Sequence, residues 1–302
     1  MTMVVASELT AVERAAVLAL AGRAARADGV FPLNERALTG LDGVFPLNER
    51  AMTGLDGIVQ HWLAWQGGRL EGYACVYDGA AQLVVDPLCR RRGVGSDLLA
   101  EARARELWSF GDLRCGRGFC SSHDFVPVRC LLVMAAETRS LAPPVDPPAG
   151  VRIKACSGDP TELEELVELN ARVFHDHPEQ GRWTMADFTA RMASPWFDPA
   201  GLLIGRADDG RMVGFHWTKV ESGEGEVYLI GVDSDWSGRG LGRALLDAGV
   251  AHLVDHGIEH VRLWVDGDNP AAMSLYEKSG FSFLSRDVRY RRQSDVHRDP
   301  QA

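Results

Sequence analysis

The sequence predicts an α/β protein assembled from two tandem copies of one domain, and three observations carry that prediction. Strand-like and helical runs alternate through both halves. A proline-rich segment near the midpoint, LAPPVDPPAG (Leu141 to Gly150), can form neither regular helix nor central strand and reads as a linker. Finally, QLVVDPLCRRRGVGSDLL in the first half lies over YLIGVDSDWSGRGLGRALL in the second, with strand, turn glycines and helix in the same order. The expected domains are residues 1–140 and 151–293, joined by 141–150 and followed by a tail, 294–302.

Taken in order, MTMVVASELTAVERAAVLALAGRAARADG reads as an amphipathic helix with scattered charges. The strand pair IVQHWLAW and LEGYACVYD follows, then strand AQLVVDP and the turn and helix RRRGVGSDLLAEARA. The next strand is compressed around ELWSFGD, with no clear turn between Arg105 and Trp108. Beyond the linker come strand VRIKAC, a helix from Pro160 to Phe174 entered through Asp159, Pro160 and Glu162, and a helix from about Thr184 to Met192. Strands LLIGRA, MVGFHWTKV and EVYLIGV precede a helix from Gly242 to His256. Strand HVRLWV, a helix from Pro270 to Ser279 opened by Asn269, and final strands from Phe281 to Arg292 complete the pattern. A tighter repeat, DGVFPLNERALTGL (Asp28 to Leu41) and DGVFPLNERAMTGL (Asp42 to Leu55), is too short to build a solenoid and reads as a duplicated loop or helical turn.

With 32 basic against 42 acidic residues the formal charge is −10. That balance offers no footprint for nucleic acid and no basic membrane face, so a small-molecule substrate is the better expectation. No membrane span or signal peptide is legible, and a cytoplasmic monomer is expected. The six cysteines form no CxxC pair and have no histidine-rich partner at zinc spacing, which predicts reduced thiols and no metal site.

The segment WSGRGLGRALL (Trp236 to Leu246) places three glycines at alternate positions before an apolar helix. No GK[ST] follows, which excludes a P-loop. The spacing is G-x-G-x-G and comes after three earlier strands, which excludes a dinucleotide fingerprint. Successive backbone N–H groups at a helix start remain, and they suit a pyrophosphate.

Strand, R/Q-x-x-G-x-G/A, helix, then a strand and an Asn-led helix ending in Tyr, is an arrangement that resembles the GNAT N-acetyltransferases. The resemblance implies, for each half, a mixed, mostly antiparallel twisted sheet flanked by helices, and acetyl-CoA as cosubstrate without a metal. It implies that the backbone of Ile230, Gly231 and Val232 meets pantetheine and the thioester. It places the pyrophosphate on Ser237, Gly238, Arg239, Gly240, Leu241, Gly242 and Arg243, and lays Asn269, Pro270, Ala271, Ala272, Met273 and Ser274 along the coenzyme. The motif's first position, usually Gln or Arg, is Ser237.

The stretches HPEQGRW, SPWFDPAGLLI, GFHWTKV, GEVYLIGVD and DNPAAMSLYEKSGF are similar, more specifically, to tandem-domain members that acetylate the cysteinyl amine of Cys-GlcN-inositol, an amino-thiol pseudodisaccharide. That likeness implies Glu226 as general base and Tyr276 as general acid, with Glu179, Lys219, Glu226 and Trp264 facing the acceptor. Trp264 departs from the tyrosine those members carry. Read without the likeness, Glu226 also fits a solvated strand residue, Tyr276 a core aromatic, and Glu179 with Lys219 a surface pair.

The first half keeps a coenzyme turn, with Leu83, Val84, Val85, Arg91, Arg92, Gly93, Val94, Gly95 and Ser96 in the corresponding places. Gly79 stands where Glu226 does and Cys120 where Tyr276 does, so this half is expected to be catalytically degenerate. A glutamate of the duplicated segment, Glu49 or its copy Glu35, is implied to reach the acceptor, Glu49 being favoured by its distance to IVQHWLAW. The competing functions are acetylation of another amine, or a non-catalytic acyl-CoA sensor.

Overall fold

The computed structural model describes residues 1–30, 32–33, 60–77, 79–177, 180–221 and 223–296. Glu35, Glu49 and Glu179 lie outside the described residues. In chain order the elements are β1 (Thr2–Ala6), α1 (Ala11–Asp28), β2 (Gln60–Gln66), β3 (Arg69–Tyr77), β4 (Ala80–Val85), α2 (Val94–Ala102), β5 (Glu106–Ser109), α3 (Arg114–Ser122) and β6 (Phe125–Glu137). After the linker come β7 (Val151–Ala155), α4 (Pro160–Val173), α5 (Met185–Met192), β8 (Leu202–Ala207), β9 (Met212–Glu221), β10 (Glu224–Val232), α6 (Leu241–Asp255), β11 (His260–Asp266), α7 (Pro270–Ser279), β12 (Ser282–Arg292) and α8 (Gln293–Val296). Among the described residues no helix is long and apolar enough to cross a membrane, and the six cysteines form no disulfide.

The described chain forms two compact units, residues 1–131 with 285–296, and residues 132–284. The boundaries expected at 140 and 151 describe the order of the chain but not these units. β6 starts in the first unit and ends in the second, and β12 does the reverse. The cause is that a strand's alternation fixes which side chains are buried, not which sheet edge receives it.

In the first unit β1, β2, β3 and β4 pair antiparallel in sequence, β4 pairs parallel with β5, and β5 accepts Val288–Arg291 of β12 antiparallel. Arg289 and Arg291 of β12 both hold the half-buried Glu106 carboxylate of β5, Arg291 at 2.6 Å. The N-terminus corrects the expectation of one long helix, since MVVA forms β1 against β2. Helix α1 begins only at Ala11, where Thr10 and Glu13 satisfy each other's backbone N–H in a capping box.

In the second unit β7, β8, β9 and β10 pair antiparallel in sequence, and β10 pairs parallel with β11. Two apolar layers enclose this sheet. Leu166 and Leu169 of α4 and Phe188 of α5 pack on Phe215, Trp217 and Leu229. Leu246 and Leu253 of α6 and Tyr276 of α7 pack on Val227, Val261, Leu263 and Val265.

His216 of β9 is wholly buried beneath α6, where its Nδ1–H donates to the Leu245 carbonyl at 2.7 Å. Burial holds its pKa down to about 4, against an ordinary 6.5. The folded state thus refuses a proton that the unfolded state accepts between those values. The stability His216 confers is complete above pH 6.5 and is lost as pH falls toward 4, amounting to about 3 kcal/mol. Urea unfolding of the native protein and of His216→Gln across that range should show a steeper acid loss in the native protein. Parallel curves would disprove the account.

Candidate active site

A β-bulge in β10 sets the geometry of the site. Glu226 pairs with Lys219 and Val227 with Thr218, but Leu229 then pairs with Trp217, so Tyr228 is the extra residue. Before the bulge Gly225 and Val227 face α6. After it Ile230 and Val232 face α6, while Gly231 faces Phe215 and Val173. Glu226 and Gly231 therefore share the α4/α5 side, which strict alternation would have denied them.

Pairing between β10 and β11 covers Gly225↔Val261, Glu226↔Arg262 and Val227↔Leu263. From Leu229 onward the β10 register runs along β9. The two parallel strands are thus joined at one end and unjoined past Val227, beside Ile230, Gly231 and Val232. A Cβ at Gly231 would meet the Phe215 ring at 2.8 Å, so glycine is required there.

Register partners point to the same side of a sheet, so Lys219 of β9, Glu226 of β10 and Arg262 of β11 form a row, cation–carboxylate–cation. Arg262 and Trp264 alternate with the buried Val261, Leu263 and Val265, and so face the Glu226 side. Trp264 is 39% exposed, and the Arg262 guanidinium lies 5.5 Å from its ring centroid and 2.6 Å from Glu224 Oε2. Lys219 is only 2% exposed, with its ammonium 3.1 Å from Glu221 and 5.3 Å from the Trp196 ring centroid. It is a buried cation with partners.

Behind this row stands an aromatic wall the sequence reading missed. The Tyr228 hydroxyl accepts from Arg191 Nε at 3.0 Å, and its ring lies 4.8 Å from Trp196, 5.6 Å from Trp217 and 6.2 Å from Trp183. The aromatic letters of GRW, SPWF and GEVY were visible, but nothing local shows that three segments bring them together. His177 is also placed: its Nδ1 accepts from the Gln180 N–H at 3.0 Å and its Nε2 lies 3.4 Å from Asp266 at the end of β11.

Tyr276 sits on the other side of the sheet, 5% exposed among Val227, Leu263 and Phe281, and burial pushes its phenol above the ordinary value. It is therefore protonated at neutral pH and able to donate. Asn269 caps α7 by accepting from Ala272 N–H at 3.0 Å, which leads Pro270 to Ser274 into the first turns of that helix.

The glycine turn keeps its expected form. Gly238 and Gly240 take φ of +71° and +87°, and Gly240 opens α6 with no side chain on the helix's free N–H groups. Ser237, Gly238, Arg239 and Gly240 are exposed. Arg239 rests 5.0 Å from the Trp236 ring centroid. Arg243 differs: its Nε contacts Asp247 at 2.8 Å and its Nη2 donates to the carbonyl of Pro143 at 2.7 Å. Asp247 in turn accepts the Val145 N–H, so this arginine fastens the linker to α6.

The first unit encloses a cavity of about 470 Å³ between β4, β5, α2 and α3. Leu83, Val84, Val85, Arg91, Gly93, Val94, Gly95 and Ser96 line it, whereas Arg92 does not. Arg91 takes φ of +62° at the place of Gly238. Arg90 is bound to Asp28 at 2.8 and 2.6 Å. Gly79 is an exposed turn residue, and Cys120 lines the cavity with its thiol pushed up to about 12 by burial. Neither supplies a base or a tyrosine hydroxyl.

Residues 163–281 match the model of the acetyltransferase (GNAT) family. The chain is 42% identical over 293 residues to the mycothiol acetyltransferase of Kytococcus sedentarius, covering 94% of this chain and 95% of that one. It is 40% identical over 307 residues to the mycothiol acetyltransferase of Thermobispora bispora, covering 97% and 100%. In fold it is similar to a GCN5-related N-acetyltransferase from Sphaerobacter thermophilus, at a TM-score of 0.73 and 22% identity over 96% of this chain and 95% of that one. A tandem GNAT protein from the clavulanic acid biosynthesis pathway gives a TM-score of 0.72 at 18% identity, over 96% and 97%. The chain is an acyltransferase with the GNAT fold and belongs to the mycothiol acetyltransferase family.

Proposed function

We propose that the chain transfers acetyl from acetyl-CoA to the cysteinyl amine of Cys-GlcN-inositol, giving mycothiol and CoA. The observation that carries this reading is the opening of β10 from β11 past Val227. It leaves backbone for the pantetheine arm between a carboxylate on one side and a buried phenol on the other. Glu226 takes a proton from the acceptor ammonium, directly or through one water. The freed amine attacks the thioester carbon, its nitrogen releases a second proton to solvent, the C–S bond breaks, and Tyr276 protonates the departing thiolate and is reprotonated from solvent. A carboxylate in register between Lys219 and Arg262 suits the first role, and a phenol kept neutral by burial suits the second.

The pyrophosphate rests on the N–H groups from Ser237 to Arg243, with the Arg239 guanidinium adding charge and that of Arg243 holding the linker. The acceptor lies along Lys219, Glu226 and Trp264. The first unit holds a second acetyl-CoA in its cavity without turning it over. The reading places the protein in the cytoplasm as a monomer. Mass spectrometry of the product from acetyl-CoA and Cys-GlcN-inositol tests it: a single acetyl on the amine is expected. Faster acetylation of a plain amino sugar would favour a different acceptor.

A further inference from the structure

The structure assigns a divalent-cation site to Asp198, His252 and His256, at the far end of α6 from the glycine turn. One ligand atom from each lies within 4.8 Å of the others. His252 and His256 are one helical turn apart, a spacing that puts two imidazoles on one helix side. Asp198 comes from the segment that precedes the short 3₁₀ turn Pro199–Gly201. The sequence reading tested the cysteines for metal spacing and expected no metal. It did not weigh this pair, whose carboxylate partner is remote in sequence.

The orientation of each donor is the argument. Asp198 Oδ1 is occupied by the Ala200 N–H at 2.9 Å, which fixes the carboxylate and turns Oδ2 toward the histidines. Oδ2 lies 2.9 Å from His252 Nε2 and 3.5 Å from His256 Nε2. The other ring nitrogen of His256, Nδ1, donates to the His252 carbonyl at 2.8 Å. A backbone carbonyl fixing one imidazole nitrogen is the usual support for a metal bound at the other.

With Nδ1 engaged in that bond, His256 Nε2 faces the same carboxylate oxygen as His252 Nε2, so the three atoms converge on a point that a cation can occupy. A metal with bonds of about 2.0–2.2 Å would space its tetrahedral ligands about 3.4 Å apart; the carboxylate oxygen lies 2.9 and 3.5 Å from the two imidazole nitrogens, and all three atoms are within 4.8 Å of one another. On binding, the His252 proton moves from Nε2 to Nδ1 or to solvent. With His256 half exposed, a fourth position stays open to water.

Imidazole and carboxylate donors select a borderline ion such as Zn²⁺ or Co²⁺ over Ca²⁺ or Mg²⁺. Since α6 spans 15 residues, at 1.5 Å per residue the site is about 20 Å from the coenzyme turn. Its role is structural. It staples α6 to the segment carrying Trp196 and Phe197, whose rings lie 5.9 and 5.6 Å from Trp217 in the acceptor wall.

The test is titration of the metal-free full-length protein with Zn²⁺ alone, followed by calorimetry and thermal unfolding, and with Co²⁺ followed by visible absorption. The expected results are one saturable ion, a higher Tm and tetrahedral Co²⁺ bands. His256→Ala should weaken binding roughly a hundredfold while leaving the metal-free Tm unchanged, and Asp198→Asn should weaken it as well. Absence of saturable binding, or binding unaltered in both variants, overturns the assignment.

Discussion

Replacing Glu226 with glutamine is expected to lower kcat by roughly 10²–10⁴-fold, the range a positioned general base supplies. Glutamine keeps the side chain's size and its place between Lys219 and Arg262. What it removes is the ability to accept a proton. Because the coenzyme turn from Ser237 to Arg243 and the open edge of β10 are untouched, acetyl-CoA should bind the variant as it binds the native protein. The pH dependence sharpens the test. An α-amino group has a pKa of about 7.7–8.0, so near pH 6.5 most of the acceptor carries a proton. A variant without the base depends on amine that is already free. Its rate should therefore climb with pH up to about 8, narrowing the gap to the native enzyme. Turnover unchanged across pH would remove Glu226 from the mechanism, and loss of acetyl-CoA binding would show a folding defect instead.

Gly249→Ala should destabilise the second unit by about 3 kcal/mol or more, at the upper end of what overpacking a core costs. On helix propensity alone the change would help by about 1 kcal/mol, because Gly249 is interior to α6. The added methyl, however, would fall inside the imidazole of His216. That ring is wholly buried and held by Leu245, so it has nowhere to turn. Steric overlap should win over propensity. Urea unfolding of Gly249→Ala, of His216→Ala and of the double variant identifies the cause. If the clash is responsible, the double variant is less destabilised than the two single changes added together. Strict additivity would mean that the cost lies elsewhere.

A GNAT acetyltransferase was legible in the sequence because its signals are local. The glycine turn with its left-handed Gly238 and Gly240, the capped starts at Asp159 and Asn269, and the alternation of HVRLWV are each decided within one element. The site was half legible. The likeness to known enzymes marked Glu226, Tyr276, Lys219 and Trp264. It did not reveal that Arg262 completes a charged row, that Tyr228 joins Trp183 and Trp196, or that the Arg243 guanidinium is engaged by the linker.

By itself the sequence determined most of the strands, turns and helices, the glycine turn that opens α6, and that Gly79 and Cys120 stand at the places of Glu226 and Tyr276. The tertiary structure alone decided that β12 pairs with β5, and that the bulge brings Gly231 to the side of β10 that presents Glu226. It also decided that Asp198 meets two histidines of α6. Each of these depends on contacts between residues remote in the chain, and such contacts exist only once the sheet has closed. Propensity and periodicity act over a few neighbouring residues, so they specify the elements and leave their partners open.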